Sequence, residues 1–229
     1  MSEATVTLLD RAAPRQGERA LVLAPPGDLQ AFAPGLLARL GDSGHLLAFV
    51  AGEPYLQADL HPAVQVIESA IDDAKTLGEA RLRGRFDLVV AFGSFPWLPA
   101  EPTFLAAVLR SLRPGGRFVF DVPALGYCDA LEACEGRHFH WPLVSEQDFQ
   151  AALEDSGFRA CSVETIDSTR NFATLAELVD ERSKPFPLDF ENTLGVERQE
   201  ALRNDLAAWF DRDHDLLLVL RHIAGQAMR

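Results

Sequence analysis

Apolar residues along this chain fall into two alternating rhythms. Short continuous runs stand where buried strands belong, and the stretches between them carry apolar positions at helical spacing. The run Ala20–Ala24 feeds a sharp turn, after which Phe32, Leu36, Leu37 and Leu40 predict a helix that stops at Gly41. His45–Val50 reads as a second buried strand, Val64–Glu68 as a short third, Ala74–Ala80 as a weak helix and Phe86–Phe92 as the fourth strand. Thr103–Leu112 is a predicted helix, which Arg113-Pro114-Gly115-Gly116 stops before a fifth strand over Arg117–Val122. Ser145–Ser156 is a capped helix, with Ser145 as N-cap, Asp148 three residues on and Gly157 at its end. Strands at Ala160–Ile166 and Asp215–Ala224 close the pattern.

This order predicts an α/β fold, a Rossmann-like, doubly wound and mostly parallel sheet of seven strands. Residues 1–17 are read as an N-terminal extension, and 18–166 with 214–229 as the core. Residues 167–213 are too long for a simple connection and too patterned for a loop, with helical spacing at Leu175, Leu178 and Val179 and again at Leu202, Leu206, Trp209 and Phe210. They are read as a helical, lid-like insertion over the carboxyl ends of the strands, hinged at Ser183–Phe190, where Pro185 and Pro187 fall.

Composition narrows the class. The 229 residues suit one large domain with a substantial core, and 48% hydrophobic with 24% charged residues is ordinary for a globular chain, which argues against disorder and coiled coil. No apolar run is long enough to span a membrane, and Met1 to Arg15 lacks a signal core, so a soluble cytoplasmic protein is expected. Against 21 basic residues stand 34 acidic ones, a formal charge of −13 that repels nucleic acid and anionic lipid. The basic cluster Arg81, Arg83 and Arg85 reads as a solvated loop before a strand. Cys128, Cys134 and Cys161 form no Cys-x-x-Cys pair, so reduced thiols are expected.

Three segments carry a family resemblance. Gly84-Arg85-Phe86-Asp87-Leu88-Val89-Val90 with its tail through Leu98, Leu112-Arg113-Pro114-Gly115-Gly116 with its strand, and Leu153–Cys161 around Gly157-Phe158 stand in the order and spacing of a known set of motifs. Together they resemble the class I S-adenosylmethionine-dependent methyltransferases, from residue 18 to about 166. The resemblance implies a cofactor site built from Ala24, Gly27 and Asp28 at the first turn, Val50 after the second strand, Asp72 or Asp73 after the third, and Phe92 and Gly93 after the fourth. For Asp72 and Asp73 a helix N-cap or turn role stands beside the cofactor role.

The chain departs from the family at the cofactor loop. Where the family resembles Asp-x-Gly-x-Gly-x-Gly, this chain places Val22 for the acid and Ala24, Pro26 and Asp28 for the glycines, with Gly27 out of register. Pro25 and Pro26 remove two N–H donors and fix φ where a glycine turn is wanted. Val50 replaces the acid that grips the ribose hydroxyls, and the nearest carboxylate is Glu53. A hydrogen bond to a charged group is worth roughly 1.5–3 kcal/mol, so this loss alone weakens binding by about one to two powers of ten.

Catalytic residues are not legible. His138, His140 and Trp141, with Phe95 and Trp97, are candidates for a substrate pocket, and an aromatic loop packed on the insertion is the alternative. His138 and His140 lack a third ligand, so no metal is expected. His214 and His222, near or within the last strand, are given no role. Two functions follow: a methyltransferase-like protein with a degenerate cofactor site and a binding or regulatory role toward a small molecule or a protein, or an active methyltransferase acting on a small molecule. A third is a different ligand or reaction; a nicotinamide dinucleotide does not suit it, because the Gly-x-Gly-x-x-Gly fingerprint is missing too.

Overall fold

The computed structural model describes residues 3–24, 26–50, 62–68, 74–79, 81–93, 102–127, 143–171 and 217–229, together with Thr174, Asn204 and Ala208. Each predicted strand is present. In chain order the elements are α1 (Glu3–Ala12), β1 (Arg19–Leu23), α2 (Pro26–Leu40), β2 (His45–Val50), β3 (Val64–Glu68), α3 (Ala74–Leu77), β4 (Phe86–Phe92), α4 (Pro102–Ser111) and β5 (Leu112–Pro123). Then come α5 (Glu146–Asp155), β6 (Arg159–Asn171) and β7 (Leu217–Met228). The seven strands form one sheet in the order β3-β2-β1-β4-β5-β7-β6. All neighbours are parallel except β7, which runs antiparallel to both β5 and β6. The chain winds outward from β1 to β3 and then returns to place β4 on the other side of β1, so the strand order reverses between β1 and β4.

Alternation along β1 divides the core into two layers. Leu21 and Leu23 face a cluster with Val89, Phe118, Phe120 and the inner faces of α4 and α5, whereas Ala20, Val22 and Ala24 face Phe32, Leu36 and Leu40 of α2. Residues 1–17, expected to be a mere extension, contain α1, whose Leu8, Leu9 and Ala12 are buried in the second layer. Arg117 ties its end down. The guanidinium donates to the Ala12 and Ala13 carbonyls, each at 2.9 Å, and meets both oxygens of Glu18 at 2.8 and 2.9 Å. The last carbonyls of a helix otherwise lack partners, and a cation there also suits the helix dipole.

Several boundaries differ from the sequence reading. α2 begins at Pro26 rather than Phe32, because a proline's fixed φ and missing N–H are harmless in the first turn, before the apolar periodicity begins. β5 begins at Leu112, which pairs with Phe86 before the register shifts and resumes at Leu88 with Arg117. The two glycines between serve different needs: Gly115 has φ +76°, and a Cβ at Gly116 would sit 2.9 Å from the Arg113 carbonyl and 3.0 Å from that of Phe86. β6 continues to Asn171 and β7 starts at Leu217, so Asp167 to Asn171, read as the start of the insertion, are strand. Most of the rest of the insertion lies outside the described residues; Asn204 and Ala208 are helical and exposed.

Candidate functional site

The carboxyl ends of β1, β4 and β5 lie side by side where the strand order reverses, the place at which open α/β sheets take ligands. Ala24 leaves β1 buried to 1% exposure, and α2 starts two residues later, so Gly27 is already in helix and Asp28 is an acid of the first turn. Asp28 is half-buried. Val50 ends β2 opposite Glu68, one strand further out. Phe92 ends β4, its ring 4.5 Å from that of Phe32 on α2. Gly93 follows with φ +71° and donates its N–H to the Asp121 carbonyl at 3.2 Å. The structure therefore brings Ala24, Gly27, Asp28, Phe92 and Gly93 to one end of adjoining strands, with Val50 at the same end of β2 on the other side of β1. Pro25, Asp72, Asp73, Phe95, Trp97, His138, His140 and Trp141 lie outside the described residues.

Two groups at this edge were not picked out from the sequence. Asp121 sits opposite Phe92 on one side and opposite Ala224 on the other. His222, two residues before Ala224, shares its face, and a diagonal pair of this kind is within reach of long side chains. Its Nδ1 lies 3.1 Å from Asp121 Oδ1, an ion-pair distance without the alignment of a hydrogen bond, and that nitrogen is buried with no hydrogen-bond partner among the described residues. The Tyr127 ring stands edge-on to the imidazole at 5.2 Å. The sequence signal for this pair is faint. Asp121 ends a legible strand, but His222 joins it only because β7 runs antiparallel, which periodicity does not report.

Beside them, Ala124, Leu125, Ser145, Glu146, Thr165 and Arg221 border an open cleft of about 450 Å³. Arg221 holds Asp167 through two hydrogen bonds of 2.8 and 3.0 Å, and this bond, more than the Arg221 charge, draws the Asp167 carboxyl below its usual range. Among the described residues, no group of three or more His, Cys, Asp or Glu side chains is placed to hold a metal ion, and no helix is long and apolar enough to cross a membrane.

Residues 48–120 match the family model described as a methyltransferase domain. A Bacillus halodurans C-125 protein assigned as a methyltransferase superposes with a TM-score of 0.62 at 15% identity, covering 99% of each chain. The chain thus has the fold of the class I methyltransferases and matches a methyltransferase-domain model over residues 48–120. Geranyl diphosphate methyltransferase, solved with S-adenosylmethionine, shares the fold at TM-score 0.53 and 16% identity, over 97% of this chain and 84% of that one. So does the [4+2]-cyclase SpnF, at 0.54 and 14%, over 99% and 79%. No curated protein matches the sequence.

Within the methyltransferase fold, the resemblance asks for carboxylates at the ends of β1 and β2, and valines stand at both places. Val22 is 0% exposed, packed in the layer that holds Phe32 and Val90. Ala24, just after β1, and Pro26, the first residue of α2, stand where the family pattern that the chain resembles carries glycine.

Proposed function

We propose that this chain is a methyltransferase-fold protein whose S-adenosylmethionine site is degenerate. In this reading the cofactor binds weakly or not at all, and the molecule acts in the cytoplasm as a binding or regulatory module for a small molecule or a protein partner, not for nucleic acid or a membrane. The observation that carries it is the first turn: β1 runs into α2 across two residues, Ala24 is buried, and the position of the expected first acid is filled by core packing around Val22. A carboxylate at Val22 would be buried without a cation, so apolar packing and cofactor binding exclude one another there. The residues present do not fit the methyl donor, and the helical insertion, shortened to the residues between β6 and β7, is retained in this reading as a cover for whatever ligand the end of the sheet takes.

Restoring one acid tests this directly. Val50→Asp should tighten S-adenosylhomocysteine binding by roughly ten- to a hundred-fold, the worth of one hydrogen bond to charge. Unchanged affinity, or a wild type that already binds at micromolar concentration, contradicts the proposal.

One observation favours a second reading, an active methyltransferase acting on a small molecule. Asp121 Oδ1, 3.1 Å from the buried Nδ1 of His222, brings a carboxylate and an imidazole together, the groups of a proton acceptor, at the edge where a substrate would lie. Isolation of the protein with S-adenosylmethionine bound supports that reading. SpnF, named as a [4+2]-cyclase on the same fold, supports keeping a reaction other than methyl transfer as a third.

A further inference from the structure

The basic cluster expected as a solvated loop is that, exposed in the turn before β4, and two of its members also border a cavity. Arg83 turns its Nε to the Gly78 carbonyl at 3.3 Å, whereas Arg81 and Arg85 line a cavity of about 420 Å³ at the amino edge of the sheet, the opposite edge from the site above. Register builds its wall. Arg19 opens β1 and pairs directly with His45, which opens β2, so the two stand on adjacent strands about 5 Å apart. Both line the cavity, on the face that Leu21 and Leu47 also occupy. Leu47, Ile67, Leu82 and Phe86 make an apolar floor behind the charges.

The charges are not all neutralised locally. Arg81 is paired with Glu79 at 2.5 Å, but among the described residues no hydrogen bond or ion pair engages the guanidinium of Arg19 or Arg85. Asp87, next along, is already committed, accepting the Arg19 N–H at 2.7 Å and pairing with Arg113. In a chain of net charge −13, two open guanidiniums facing one concavity make a local positive potential against an anionic background, with the His45 imidazole beside them.

A guanidinium offers a planar fork of donors that matches phosphate oxygens in pairs, and two forks with a histidine suit a dianion better than a monoanion. The floor adds a place for an apolar body behind the charge. We propose that this amino-edge cavity binds a phosphate monoester carried on a small apolar group, at a site separate from the carboxyl-end cleft. It stands whether or not the methyl-donor site is degenerate.

Calorimetric titration of the whole chain with phenyl phosphate, benzoate and phenol tests it, with Arg19→Gln, Arg85→Gln and Arg83→Gln as variants whose folding is checked by circular dichroism. Phenyl phosphate should saturate, bind more weakly as salt rises, and lose at least ten-fold in affinity in R19Q and in R85Q but not in R83Q. Benzoate should bind more weakly than phenyl phosphate, and phenol should not saturate. No saturation by millimolar phenyl phosphate, equal binding in R19Q and R85Q, or benzoate or phenol binding as tightly, overturns the proposal.

Discussion

Glu18 shows what one buried charge does for this fold. Its burial alone pushes its carboxyl up, but the hydrogen bonds from Arg117 and from the Arg15 N–H, with the charges of both arginines, outweigh it and leave the pKa below the ordinary carboxylate value. A carboxyl held lower in the folded state stabilises the fold above its unfolded pKa of about 4.3, and that stability drains as pH falls through the folded value. Glu18→Gln should therefore cost about 3 kcal/mol near neutral pH, because Arg117 keeps its charge without a counter-ion. Urea midpoints of E18Q and wild type should converge as pH falls below about 4; a gap that stays constant with pH would contradict this assignment. At the same scale the candidate site was unevenly legible. Ala24, Phe92 and Gly93 could be placed because they end recognisable strands, while Asp121 and His222 acquire a relation only through the pairing of β5 with β7.

Elements were legible wherever burial on both faces wrote a continuous apolar run, as in Phe86–Phe92, whose first six residues are all buried. α1 was missed because, among its described side chains, Leu8, Leu9 and Ala12 alone reach the core from a short helix. α5 was read in full from its cap. The Ser145 hydroxyl accepts the Asp148 N–H at 3.1 Å and donates to the Asp148 carboxylate at 2.7 Å, so Ser145→Ala should destabilise the protein by about 1 kcal/mol in urea unfolding. A loss within error would show that the cap carries nothing. Gly225 on β7 answers a different constraint. A Cβ there would collide with the Ser162 carbonyl on β6 and come within 2.9 Å of the Phe120 ring, where the β6 register also shifts. Gly225→Ala should therefore cost about 2–4 kcal/mol, at the upper end of ordinary single substitutions; a wild-type urea midpoint would mean that the two strands do not approach as described.

At the scale of the molecule, the sheet order and the two core layers place the carboxyl-end site without reference to any loop. The architecture was legible because the βαβ rhythm and the Pro114-Gly115-Gly116 turn constrain topology. What the site binds was not, since one fold serves many chemistries and the two acids that would have signalled the methyl donor are Val22 and Val50. Calorimetric titration of the whole wild-type chain with S-adenosylhomocysteine is the most direct test of the account. It predicts no saturable heat below millimolar ligand; a micromolar dissociation constant would contradict it.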